Sequence, residues 1–346
     1  ERRMTRARDL ADGADKDITG TLTTDGLTVA GNVSVDGGTI KLDGNYPVGT
    51  DNVALGNTAF DAVTSGIQNT AIGANSMTAN TSGTNNSAVG RSSLAANTTG
   101  NELTALGTNS LAVSTTGSYN TALGSSALVS NTTASNNTAV GYQAGYTNTT
   151  GTRMVAIGQQ ALYTSNGNDN VAMGYQTGYA VSTGTDNTFI GGAAGRLTTT
   201  GSYNTAIGRT ALYSNTTAPA NTAVGYQAGY ANTTGQQIAL FGGSAGSSNT
   251  TANYTTAFGN QSLFSNTTGA GNVGMGINSL YTNTTGANNV ALGSFALQSN
   301  TTADNNIAVG YQAGLSNTTG HTNTSVGIKA GYGTTTGIDN TFIGPY

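Results

Sequence analysis

Two carboxylates a fixed interval apart are the residues with the clearest capacity for chemistry. Asp169 and Asp186 stand 17 positions apart, each five residues before a glycine that recurs along the chain. If that interval is one turn of a stacked structure, the two carboxyl groups lie ~5 Å apart. That is the separation used by a retaining glycosidase, where one acid protonates the leaving group and the other attacks. The same column elsewhere holds Asp51, Asp339, Glu102 and Arg153 among Tyr, Asn, Gln and small residues. Such a mixture describes a loose, solvated turn, so no enzymatic activity is expected.

Aromatic residues offer a second chemistry. Tyr146, Tyr163 and Tyr179 stand five residues after the recurring glycine in three consecutive repeats, and Tyr213 and Tyr230 do so in two more. Stacked rings suit contact with glycans, and they equally suit packing against one another. Tyr142, Tyr175, Tyr226 and Tyr311 follow the glycine directly, in a column otherwise polar or small, and are expected to face outward. His321, the single histidine, sits in the polar string Thr319-Gly320-His321-Thr322 and is expected to be exposed. There is no Cys, which removes disulfides, Cys-based zinc sites and a Cys nucleophile. No cofactor and no metal are expected.

The element that positions these residues is a repeat. The glycine occurs at 56, 73, 90, 107, 124, 141, 158, 174, 191, 208, 225, 242, 259, 276, 293, 310, 327 and 344. The spacing is 17 residues, and once, from 158 to 174, it is 16. The residue before the glycine is Leu, Ile, Val, Met or Phe in all 18 copies, and two before it is Ala in 13. Three before it is β-branched in 16, and four before it is Asn in 14. Four or five after it comes one large residue such as Phe60, Met77, Leu94 or Leu128, or else Gly-Tyr as in Gly145-Tyr146.

Asn-Thr-Ala-Val-Gly strings read as short strands, bounded by Asn-Thr-Thr-Gly turns in which Asn and Gly tolerate positive φ. Seventeen residues are too few for a helical repeat and enough for one β-solenoid coil. The expected fold is all-β: an elongated parallel β-solenoid of about 18 coils of 17 residues. Like columns then stack. Asn69, Asn86, Asn120 and Asn137 form an Asn ladder, and Ile72, Val89, Leu123 and Val140 an apolar spine. Alternation puts Thr/Val and the apolar residue on one face and Asn, Ala and Gly on the other. The small-residue face, poor in charge, is expected to pack against another chain.

Composition bounds the rest. The chain has 346 residues, with 11 basic and 15 acidic side chains and a net charge of −4. So few basic groups argue against nucleic-acid binding. No apolar run approaches the ~18 residues of a membrane span, so no membrane insertion is expected. Residues 1–48 hold 14 of the charges, which marks a boundary near Tyr46-Pro47. The expected organisation is an N-terminal arm or attachment segment over 1–17, a short β-rich lead-in over 18–48, and the repeat shaft over 49–346.

The strings Asn69-Thr70-Ala71-Ile72-Gly73, Asn204-Thr205-Ala206-Ile207-Gly208 and Asn289-Val290-Ala291-Leu292-Gly293 resemble the head repeats of trimeric autotransporter adhesins, which fold as left-handed parallel β-rolls. The Asn-Thr-Ala-Val-Gly-Tyr-Gln-Ala-Gly strings at 137–145 and 221–229 resemble bacteriophage tail-fibre proteins more closely, as does the Gly-rich lead-in at 20–31. That resemblance covers about residues 18–346. It implies a homotrimeric fibre on a virion or otherwise extracellular. It also implies attachment to other virion or tail proteins through the N-terminal arm, and a host-surface glycan or protein as receptor. The alternatives are a bacterial cell-surface trimeric adhesin head and a polysaccharide-cleaving tailspike.

Overall fold

A computed structural model describes residues 50–345. The chain divides into two units, residues 1–42 and 43–346, and the described residues lie in the second. The expected arm (1–17) and lead-in (18–48) fall outside the described residues. Eighteen three-residue strands, β1 (Val53–Leu55) to β18 (Thr341–Ile343), make one parallel sheet. Each strand pairs with the next in sequence, and like columns face each other: Thr70 with Ser87, Ala71 with Ala88, Ile72 with Val89. No helix occurs among the described residues. The described residues therefore form a parallel β-solenoid with 17-residue coils, as the repeat predicts.

Strand pairing is only part of the bonding between coils. The Met77 N–H donates to the Ser93 carbonyl at 3.0 Å, and the Thr81 N–H to the Thr98 carbonyl at 3.0 Å. The Asn85 N–H donates back to Ile67 at 3.1 Å. Backbone bonds to the coils above and below thus recur round the coil. Sharp corners between these segments need left-handed backbone, as at Asn75 (φ 58°), Met77 (φ 48°) and Asn85 (φ 58°). Each such non-glycine residue costs ~1–2 kcal/mol, which the stacking must offset.

Two glycine columns have different reasons to be glycine. Gly208 adopts φ +129°, and a Cβ there would lie 2.5 Å from the Gly225 carbonyl oxygen. Gly100, in an Asn-Thr-Thr-Gly string, is constrained by space alone: its Cβ would lie 2.5 Å from both Asn97 Oδ1 and the Gly117 carbonyl. Neither Asn97 nor Gly100 has positive φ, so the expected reason for that turn is replaced by close approach. Asn97 itself is buried and belongs to a second Asn ladder, its Nδ2 donating to Asn80 Oδ1 at 2.7 Å and to Gly100 at 3.1 Å. From Asn215 to Asn317 this second ladder is unbroken through Asn232, Asn249, Asn266, Asn283 and Asn300.

The structure inverts the expected faces. Asn69, Ala71, Asn86 and Ala88 are buried inside their own coil, while Ile72 and Val89 lie half-exposed outside. The reason is volume. One large residue per coil, such as Met77, Leu94 or Leu128, already points inward from the left-handed corner and is fully buried. With a wall of 17 residues there is little room for more, so the inner strand position is Ala in 13 coils; Leu103 and Met154, at the Asn position, are where a coil with a large corner residue buries a second. The small face is the core, and no chain partner is needed to cover it.

The same volume rule explains the exceptions. At several Gly corners a larger residue of the same or the next coil supplies the bulk. Phe189 stands where other coils have Ala, against Gly178 and Gly195; Leu240 does so against Gly229 and Gly246; Met154 meets Gly145. The single 16-residue spacing is absorbed in a turn. The Asn166 side chain replaces a backbone carbonyl there, accepting the Thr149 N–H at 2.8 Å and the Thr150 N–H at 3.3 Å. The sheet register passes through undisturbed, with Val155 opposite Val171.

Two stability measurements check this. Phe189→Ala should cost ~3–5 kcal/mol in chemical denaturation. Adding Gly178→Leu and Gly195→Leu, which restores the Leu/Ala pattern of other coils, should recover most of that loss. Asn204→Ala orphans the Asn221 N–H, bonded to Asn204 Oδ1 at 3.1 Å, and leaves the Ala218 carbonyl to the Asn215 Nδ2 bond at 3.1 Å. It should cost ~1–3 kcal/mol.

Candidate functional site

The left-handed corner that sends a large residue inward sends the next residue outward. That next position holds the aromatic column. Tyr146 and Tyr163 stack with ring centres 5.0 Å apart and planes 1° from parallel; Tyr163 and Tyr179 follow at 4.9 Å and 7°. Tyr213 and Tyr230 stack at 5.2 Å and 15°. All five rings are half-buried. Tyr163 has a neighbour on each face, and this burial, with the adjoining phenols, raises its pKa above the ordinary tyrosine value. Tyr163 has both ring faces covered in this way and presents its edge and hydroxyl.

Arg196 fills the coil between the two stacks. Its Cζ lies 5.4 Å from the centre of the Tyr179 ring and 5.8 Å from that of Tyr213. Its Nη1 donates to the Tyr213 hydroxyl at 2.9 Å. The column Tyr146–Tyr163–Tyr179–Arg196–Tyr213–Tyr230 is thus continuous over six coils. Beside it runs a glutamine column at the corner two residues after the repeat glycine. Gln160 Nε2 donates to Gln143 Oε1 at 3.0 Å, and Gln176 Nε2 to Gln160 Oε1 at 2.9 Å. Arg196 Nε closes this second column on Gln176 Oε1 at 3.1 Å. The arginine that joins the two columns was missed by reading aromatics alone. Its signal was positional, five residues after Gly191, in register with the tyrosines.

The carboxylates are not brought together as a pair of acids. Arg153, one coil before Asp169 in the same column, holds it through two parallel bonds, Nε to Oδ1 at 2.6 Å and Nη2 to Oδ2 at 2.7 Å. That hydrogen-bonded guanidinium keeps the Asp169 carboxyl below the ordinary Asp range. A proton-donating acid requires the opposite direction. Asp186 is exposed on the next coil and adds to the field that raises the Arg153 pKa. His321 is exposed, and no group of three or more His, Cys, Asp or Glu lies together among the described residues.

The ladder residues sit on both sides of the wall. Asn69 Oδ1 accepts the Asn86 N–H at 3.0 Å, and Asn120 Oδ1 the Asn137 N–H at 2.9 Å. Each carboxamide also donates to a carbonyl in the following coil, as Asn137 does to Gly151 at 2.9 Å. Ile72, Val89, Leu123 and Val140 stack on the outer face. Their column continues through Leu106, Met173, Ile207, Phe258 and Met275, all exposed, with Phe241 and Phe258 stacked at 4.9 Å. Tyr142, Tyr175, Tyr226 and Tyr311, two residues further on, are exposed beside it. No protein-family model matches the chain, and no curated protein matches it.

The Arg153–Asp169 geometry has a direct readout. A depressed carboxyl pKa means its contribution is present above the ordinary Asp value and is lost as pH falls through the depressed one. NMR titration of the Asp169 carboxyl should give a midpoint below that of an unpaired Asp. Arg153→Ala should return it to the ordinary range, with the coil fold unchanged.

Proposed function

We propose that this chain is the shaft of an adhesive fibre, of the kind borne by a phage tail or a related appendage, and that it works as a self-associated bundle. The observation that carries this reading is the outer apolar column. A line of Leu, Ile, Val, Met and Phe runs through all 18 coils, over ~80 Å at one strand spacing per coil. Contiguous exposed apolar surface on that scale is rarely left in water and favours contact with protein. Copies of the same chain, laid side by side in register, present the same line over the same length. Three chains is the number implied by the likeness of the repeats to tail-fibre and trimeric-adhesin sequences.

The rest of the reading follows from chemistry already described. A stack of near-identical coils gives length and stiffness with little functional variety along it, as a spacer requires. Attachment to a particle falls to the charge-rich N-terminal segment, and placement on a virion or otherwise outside the cell follows the same likeness. The receptor is a host-surface glycan or protein. The role is structural and adhesive, not catalytic. No observation favours the polysaccharide-cleaving alternative, since Asp169 is committed to Arg153.

Sedimentation velocity decides the association. The chain is expected to run as a stable trimer at micromolar concentration. The double variant Leu106→Lys, Leu123→Lys should shift it toward monomer while far-UV circular dichroism stays that of the parent. A parent chain that sediments as a stable monomer overturns the bundle.

A further inference from the structure

We propose that the Arg196 rung is a binding site for an acidic oligosaccharide, the anion being a hexuronate carboxylate or a sulfate ester. Arg196 is partly exposed, and no carboxylate pairs with it among the described residues. An unpaired surface arginine is ordinary when it is loose; this one is fixed on four sides. The Tyr179 and Tyr213 rings flank it, Gln176 Oε1 takes Nε, and the Tyr213 hydroxyl takes Nη1. These contacts use two of the five guanidinium N–H donors. Three remain, in a planar fork that matches the two oxygens of a carboxylate or sulfate. Holding the fork in place beforehand removes most of the ordering cost of binding an anion.

The surroundings select a sugar as the carrier of that anion. On one side of Arg196 the column continues as the hydroxyl-bearing edges of Tyr179, Tyr163 and Tyr146, with the Gln176–Gln160–Gln143 amides alongside. This is a strip of hydrogen-bonding groups repeated at one coil height. An extended chain of β-linked hexoses advances by about the same distance per sugar, so successive sugars meet equivalent groups. Tyr213 accepts from Arg196 and keeps its own hydroxyl proton free to donate. Neutral sugars, which bind aromatic sites through ring faces, find the faces of Tyr163 already covered. The charge therefore anchors the ligand and the strip aligns it along the rod. This deepens the receptor part of the proposed adhesive role and rests on that reading for its biological sense.

Titration calorimetry on the full chain tests it with four hexasaccharides: a polyuronate, its carboxyl-reduced counterpart, a sulfated glycan and the desulfated form of that glycan. At least one of the acidic ligands should bind, more weakly as salt rises. Its uncharged counterpart should bind at least about tenfold more weakly, the size expected of a charge-assisted pair. Arg196→Gln should lose the same factor, Arg196→Lys should lose less, and Arg209→Gln, an exposed arginine in another column, should lose nothing. Binding of the polyuronate alone, the sulfated glycan alone or both supports the site and identifies the anion. Equal binding of charged and uncharged forms overturns it, as does unchanged affinity in Arg196→Gln, or no binding of either acidic ligand at millimolar concentration. Should Arg196→Gln fail to fold, the Lys variant and the uncharged glycans still decide. Sedimentation of the sugar-free protein tests the bundle separately, so either idea can fail without the other.

Discussion

Every side chain in this solenoid lies about one strand spacing, ~4.8 Å, from its counterpart in the next coil, and that single distance sets what each column can hold. The carbonyl above Gly208 leaves no space for a Cβ. An asparagine carboxamide is both donor and acceptor, so it can bond to a copy of itself indefinitely, as Asn215 to Asn317 do. Planar phenols stack at nearly the same interval. A charge fares worst, because a like charge at that distance repels it. The one ion pair among the described residues, Arg153 with Asp169, is a case of opposite signs on successive coils. The scarcity of charge in residues 49–346, and its crowding into 1–48, is the same rule seen in composition.

A second constraint follows from the shortness of the coil. Its interior takes one large side chain in most turns, with Ala, Ser, Asn and Gly at most of the other inward positions. Bulk can be traded between neighbouring coils, as Phe189 does for Gly178 and Gly195, and is added in few of them. The strand's own apolar residue is thereby displaced to the outside. An exposed hydrophobic line is thus a by-product of a narrow core, and association becomes the natural way to cover it.

Much of this was legible in the residues. Spacing fixed the register, the coil length and the identity of each column, because stacking demands like against like. Alternation also divided the strand correctly into Thr/Ile and Asn/Ala faces. It could not say which face was inner, since periodicity carries no sign; only the volume already filled by Met77 or Leu94 decides that. Asn97 looked like a turn residue because Asn-Thr-Thr-Gly is usual turn chemistry, yet its carboxamide is buried and bonded to Asn80. Arg196 was hidden for a different reason. Its part depends on standing between two tyrosine stacks, which only the column, not the residue type, discloses.

The backbone bonds between coils run along the rod, so a pull from end to end loads them layer by layer and not all at once. One layer can then peel while its neighbours hold. Each released coil frees 17 residues, ~60 Å of extended chain, in exchange for one coil height. Under tension such a strand behaves as a ratchet of small yields with a large total reach. A lone strand would be extensible where several joined flank to flank would share the load.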